Sequence, residues 1–404
     1  MNLESRTAIE ALRAGVPNRA VVRLMGAGNA GLEKDFRALL DAAGTRPGIG
    51  FAGGFGTGKS HTLTSLAEVA RERRFVVSRV VISKETPLGD FGRLFEAAMR
   101  SAALPDRNDD ALSASLTTLR ATPDKLTAFQ EVVSRPDSGL CGVFAAILFL
   151  LREPSQAPEV VRRCERFLAG GRMPSSVFRK PLVQHHASRK FNLRQPPAAE
   201  LAAQRIRFAS LLFRAAGYAG WFVAFDEVEL IGRYSPMQRA LAYASLAVWL
   251  GLDDTTRFPG IAVVYAITDD FVAAVVDHRH DQDALPDRLR RKGRDADAMH
   301  ALTGIRHIRD TVQNHRLVAP NEEELRRDGQ RLREIYARAY DWRTPQVPAI
   351  ERTATRTMRQ YIKGWITHWD MLRVTGAAVS VVERPLGNNY AQDRTLGASE
   401  EDTE

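Results

Sequence analysis

One stretch, Gly53-Gly54-Phe55-Gly56-Thr57-Gly58-Lys59-Ser60, constrains this chain more than any other. Four glycines within six positions suit neither a helix nor a strand, because each loses more backbone freedom on ordering than any other residue. A weak apolar run, RPGIGFAGG, leads into the stretch, and residues with helical spacing, Ser60 to Arg71, leave it. The reading is strand, bare loop, helix. A loop this bare lets something lie against its backbone amides, and the helix that follows adds the positive end of its dipole. The pattern fits G-x-x-x-x-G-K-[ST], which cradles a nucleoside triphosphate. Gly53, Gly54, Phe55, Gly56, Thr57, Gly58, Lys59, Ser60 and His61 are therefore predicted to bind the phosphates. Lys59 supplies a point charge for the β- and γ-phosphates, and Ser60 supplies a hydroxyl for Mg²⁺.

A phosphate loop needs a second acid for the metal. WFVAF, Trp221 to Phe225, reads as a short apolar strand, and it runs straight into Asp226-Glu227. In a parallel sheet, both carboxylates then sit at the strand's C-terminal edge beside the loop. Asp226 is predicted to hold Mg²⁺, and Glu227 to polarise an attacking water as general base. Glu229 is the competing acid, placed beyond the strand end. The next buried strand, IAVVYAIT, ends in Thr268-Asp269-Asp270. Thr268 is the candidate for contact with the γ-phosphate or the attacking water, with a helix N-cap as its structural alternative. Arg288, Arg290 and Arg291 lie where a neighbouring copy's arginine would be supplied. Arg356 and Arg359 lie on a C-terminal helix, and Arg359 is preferred as the residue reaching the nucleotide from above.

The rest of the chain supports an α/β architecture. FVVSRVVIS, Phe75 to Ser83, reads as a strand, and HRLVAP, His315 to Pro320, as a candidate last one. Strands alternating with helices imply parallel strands in a three-layer sheet. The predicted plan is an N-terminal helical linker (1–44), a P-loop core (45–320) interrupted by a basic helical insertion at about 104–198, a helical lid (321–384) and a disordered acidic tail (385–404). With 44% hydrophobic residues the chain can bury a large core. Two cysteines, Cys141 and Cys164, form no metal spacing, and the adjacent pair His185-His186 has no grouped ligand. The longest apolar run, GVFAAILFLL from Gly142, is about half of what a bilayer crossing needs, so no membrane role and a cytoplasmic location are expected. Between Leu151 and Ala215 there are thirteen Arg or Lys against four Glu, an excess equal to the whole chain's net charge of +9. Such a segment is either a solvated helical face or a surface for phosphate backbones, which makes DNA a candidate partner.

Several of these stretches together, AIEALRAGVPNRAVV, GFGTGKSHTL, FVVSRVVISKETPLGDFGRLF, FDEVELIGRYSPMQRALAYA and RTMRQYIKGWITHWDMLR, resemble the P-loop ATP-binding proteins of BREX-type bacterial phage-defence clusters, the BrxD-like family. The resemblance covers much of the first hundred residues, the surroundings of Asp226 and the C-terminal helix; the middle of the chain matches less well. It implies an AAA-like ATPase that uses ATP and Mg²⁺ beside helicase-like and other defence partners, and it assigns the nucleotide roles to Gly53–Ser60 and Asp226-Glu227.

The expectation is an Mg-dependent ATPase that assembles or remodels a defence complex on DNA, with homo-oligomers expected if an arginine comes from a neighbour. The rival is a switch or scaffold that binds ATP and hardly turns it over. A helicase acting alone is disfavoured, because one phosphate loop without a second motor unit does not make a two-domain motor.

Overall fold

Four short runs of apolar residues become strands, and their burial explains why. The computed structural model of the chain describes residues 2–16, 18–26, 30–107, 109–153, 156–317, 320–347, 357–377 and 390–393. Among these, helices α1 (Leu3–Ala14), α2 (Arg19–Met25) and α3 (Ala30–Asp41) precede β1 (Ile49–Ala52), α4 (Lys59–Glu72), β2 (Phe75–Val81) and α5 (Phe91–Arg100). An all-helical stretch follows: α6 (Ala111–Arg120), α7 (Pro123–Ser134), α8 (Gly142–Arg152), α9 (Pro158–Leu168), α10 (Ser176–Gln184) and α11 (Ala198–Ala215). The chain then returns to the sheet through β3 (Gly220–Asp226), α12 (Pro236–Leu250) and β4 (Ile261–Ile267). It finishes with α13 (Asp281–Arg290), α14 (Asp295–Asn314), α15 (Glu322–Tyr340) and α16 (Met358–Thr375).

The sheet runs β1-β4-β3-β2 with every pair parallel. All seven residues of β3 and of β4 are buried, as strands covered on both faces must be. Side chains alternate between two cores because successive residues point to opposite faces. Phe222, Ala224, Val264 and Ala266 meet α3 and α4, where Phe36 packs edge-on against Phe222 with ring centroids 4.9 Å apart. Trp221, Val223, Phe225, Val263 and Tyr265 face the other way, into a larger core. That core continues without a break through α11 into the insertion, taking in Leu112, Phe144, Phe167 and Phe178. Between Leu104 and Ala198 the described elements are helices, and shared apolar side chains join them to the sheet.

Two expectations change. The candidate last strand at His315–Pro320 shrinks to a single parallel bridge, Arg316 opposite Ala52, fixed by Ala52 N donating to His315 O (2.8 Å) and Leu317 N donating to Ala52 O (2.7 Å). β1 is only four residues long, so it offers the newcomer little to pair with; residues 318–319 lie outside the described set. The N-terminal segment, read as one linker, divides between two cores. α3 belongs to the sheet, whereas α1 and α2 share a separate core with α15 and α16, built from Ala8, Ile9, Val21, Met25, Leu332, Tyr336, Trp365 and Trp369. α15 is started by a reciprocal cap: Asn321 Oδ1 accepts from Glu324 N and Glu324 Oε2 accepts from Asn321 N, both at 2.9 Å.

Candidate functional site

The glycine loop leaves β1 at the C-terminal edge of the sheet and enters α4 at Lys59. Gly56 and Gly58 adopt φ values of 79° and 100°, which only glycine takes without strain. Gly58 caps α4 with no side-chain acceptor, so the first-turn amides keep their donors. A Cβ on Gly53 would come 2.5 Å from Thr57 Oγ1, so the loop cannot close around anything larger there. Thr57 Oγ1 donates to Gly54 O at 2.8 Å and locks the turn. Lys59 is buried at 8% exposure, and its Nζ donates to Gly53 O at 2.9 Å.

Lys59 also pairs with Glu229, Nζ to Oε1 at 3.4 Å. Burial pushes the Glu229 carboxyl up to about 7, against the opposing pull of Lys59. Its other oxygen, Oε2, is buried with no hydrogen-bond partner. The acid rated second by position is therefore the one the fold aims at the loop's lysine. Glu227, the predicted base, sits at φ 59° with an exposed side chain. Partial desolvation, then the charge of Asp226, holds its carboxyl above the usual range; Lys59 and Arg79 pull it back.

Asp226 ends β3 and is 2% exposed. Its Oδ1 accepts from the Glu227 amide at 3.1 Å, and its Oδ2 accepts from Arg79 Nη2 at 2.5 Å. Arg79 stands on neighbouring β2 and reaches Thr64 Oγ1 on α4 with Nη1 at 3.0 Å. Thr64 Oγ1 in turn donates to Ser60 O at 2.8 Å. A charged chain thus joins the acid strand to the helix that carries Ser60. Sequence reasoning missed Arg79. The available signal was a lone arginine inside FVVSRVV, a run with no other charge.

Ser60 and Asp226 offer one hydroxyl and one carboxylate, both hard oxygen donors. No group of three His, Cys, Asp or Glu able to hold a metal occurs among the described residues. A donor set this small suits Mg²⁺, which keeps waters and takes substrate phosphates rather than an all-protein cage. His61, the third residue of α4, faces the Gly26 backbone at the end of α2, and burial holds its imidazole below its usual range. Its ring is thus engaged away from the loop, which leaves its backbone amide for an anion.

Thr268 follows β4 and is fully buried, with Oγ1 2.6 Å from the Tyr390 hydroxyl. Tyr390 falls in the tail expected to be disordered, yet Tyr390–Asp393 are seated on the core, and Arg233 Nη2 meets Asp393 Oδ2 at 2.8 Å. Arg359, second in α16, lies over Phe55 with its guanidinium carbon 5.9 Å from the ring centroid. It packs on Gly15, where a Cβ would lie 2.5 Å from Nη2. Thr357 approaches Gly56. The C-terminal helix therefore begins beside the glycine loop; Arg356 lies outside the described residues. Arg288, Arg290 and Arg291 are exposed around the end of α13, and Arg290 is paired with Asp287 at 2.7 Å.

A second surface lies on and just after α10. Arg179, Lys180, Arg189 and Lys190 are all exposed. Arg179 and Arg189 line an open groove of about 470 Å³ with Val183, Phe191 and Asn192. Lys190 Nζ stands 5.6 Å from the Phe149 ring centroid. No helix among the described residues is long and apolar enough to cross a membrane.

No curated protein and no solved structure matches the chain. A family does match, over residues 2–121 and 180–368, which is well over half of the chain. The matched stretches carry the glycine loop, the β3 acids, Thr268 and the start of α16, and they skip α7, α8 and α9. The chain belongs to the family described as BREX system ATP-binding protein BrxC/D.

Proposed function

We propose that this protein is an Mg-dependent ATPase with an AAA-like P-loop core, and that it couples ATP binding and hydrolysis to assembly or remodelling of a phage-defence complex on DNA. One observation carries the reading. A glycine loop with Lys59 in its mouth lies at the C-terminal edge of a parallel sheet, where β3 ends in a buried aspartate and a buried threonine follows β4. That edge is where open α/β sheets bind their ligands. Amides of Gly54 to Ser60 would receive the phosphates, Lys59 would exchange Glu229 for the β- and γ-oxygens, and Ser60 with Asp226 would hold Mg²⁺. The metal, when bound, neutralises charge on the phosphates. Glu227 would take the proton of the attacking water, Thr268 would orient that water or the γ-phosphate, and Arg359 would approach over Phe55. The basic groove of the insertion would hold DNA, and exposed Arg288 or Arg291 would reach a neighbouring copy's nucleotide in an oligomer.

Lys59→Ala should abolish ATP binding by calorimetry. Glu227→Gln should keep binding and lose turnover by at least roughly a hundredfold, as removal of a general base does. Turnover unchanged in Glu227→Gln would assign the base elsewhere, with Glu229 next. The exposed, left-handed Glu227 also favours a second reading, a switch that binds ATP without hydrolysing it. Binding with no turnover above background in the unmodified protein would select it.

A further inference from the structure

The residues that seat the C-terminal segment are many for so short a piece. Tyr390 donates its hydroxyl proton to Asp270 Oδ1 at 2.7 Å. Its carbonyl accepts from Arg279 Nη2 at 2.5 Å, and Arg279 Nη1 is anchored on Gly232 O at 2.7 Å. Its ring lies edge-on to Phe271 with centroids 6.0 Å apart. The ring also fills the place where a side chain on residue 232 would be: a Cβ on Gly232 would stand 2.8 Å from Tyr390 Cδ1. Three residues on, Asp393 N donates to Arg233 O at 3.0 Å, beside the Arg233–Asp393 ion pair. Arg233 and Gly232 close the turn that begins with Glu227 and Glu229, so the segment rests on the loop of the acids and on the end of β4 together.

Proton bookkeeping then decides what Thr268 can do. A phenol has one proton, and that of Tyr390 goes to a carboxylate, which only accepts. Burial holds the Tyr390 phenol well above its usual range, so it stays a neutral donor. The 2.6 Å contact between the two hydroxyls must therefore be Thr268 donating to Tyr390. With its proton engaged, Thr268 Oγ1 presents only lone pairs to a ligand. A phosphate oxygen, which also only accepts, gains nothing from it; a water, which can donate, does. We propose that Tyr390 is a positioning residue of the nucleotide site, setting Thr268 as an acceptor that orients the attacking water rather than a donor that binds the γ-phosphate. This rests on the hydrolytic reading given above.

The test uses the full chain with Tyr390→Phe, Thr268→Val, Thr268→Ser and the Tyr390→Phe/Thr268→Val double variant, each checked for folding by circular dichroism and melting. Tyr390→Phe keeps the ring in its seat and returns Thr268's proton. Turnover should fall roughly tenfold, the scale at which an orienting outer-shell hydrogen bond acts. ATP affinity should rise relative to ADP, because Thr268 can now donate to the γ-phosphate. Thr268→Ser should retain most of the turnover, and adding Tyr390→Phe to Thr268→Val should change nothing further. Equal losses in binding and turnover, or a full Tyr390→Phe effect in the Thr268→Val background, would overturn the assignment. If the unmodified protein binds ATP without turning it over, the hydrolytic reading fails and the affinity ratio still judges Tyr390: a ratio of ATP to ADP binding that Tyr390→Phe leaves unchanged would refute its hold on Thr268.

Discussion

Lys59 illustrates how a phosphate-binding lysine is kept when it faces its own protein. Its charge is shared between the Gly53 carbonyl and Glu229, and Glu229 is held near neutrality by burial. Glu229 therefore competes with a phosphate for the same ammonium. Glu229→Gln should tighten ATP binding by about tenfold at pH 8, roughly 1.4 kcal/mol. The gain should shrink below pH 7 as the native carboxyl protonates, and calorimetry at two pH values measures both. The same group gives a stability signature. Its folded pKa of about 7 lies above the ordinary 4.5, so between these values the folded state keeps a proton that the unfolded state has released. Its contribution is thus fully present at low pH and is lost as pH rises towards 7. Relative to the native chain, Glu229→Gln should be more stable at pH 8 than at pH 5 in thermal melts. A difference that does not change with pH would mean that Glu229 is ionised throughout. None of this was legible in the sequence: Glu229 follows β3 by three positions, and only the tight turn after Glu227 swings it onto Lys59.

Elements were legible where their pattern is local. The strands at Phe75, Trp221 and Ile261 announce themselves as apolar runs, and the structure extends or trims them by a residue or two. Pairings between distant elements were not. Arg79 and Asp226 are separated by 147 positions and meet only because β2 and β3 are neighbours in register. The basic excess was legible as composition, but its disposition was not: some arginines serve structure, as when buried Arg205 donates to the carbonyls of Gly170 and Gly171. Arg179, Lys180, Arg189 and Lys190, on and just after α10, are exposed, and Arg179 and Arg189 share a groove. If DNA lies there, changing Arg179 and Arg189 to Glu should weaken binding across sequences and reduce the salt slope by about one per lost phosphate contact. Fluorescence anisotropy at several salt concentrations reads this out. An unchanged slope would return α10 to the role of a solvated face.

At the scale of the whole molecule, the chain closes on itself. α1 lies against α15 and α16: Arg13 reaches Asp370 at 2.9 Å, and Tyr336 donates to the same carboxylate at 2.7 Å. α2 in turn touches α4 through Arg19 and Glu68 at 2.8 Å. A movement of the C-terminal helices must therefore carry the first helices with it and press on the helix behind the glycine loop. Trp369, fully buried in this small core, tests the unit. Trp369→Ala should cost about 3–5 kcal/mol locally. Hydrogen exchange should then quicken in α1 and α15 together while β3 and β4 stay protected, and continued protection of α1 would show that the unit is not one. This arrangement also sets a schedule for synthesis. α1 and α2 leave the ribosome nearly three hundred residues before α15, which at 5–20 residues per second is a wait of roughly 15–60 s. Throughout that interval Ile9, Val21 and Met25 lack Leu332, Tyr336, Trp365 and Trp369, the large side chains that complete their core, so α1 and α2 emerge with an apolar face that only later synthesis covers.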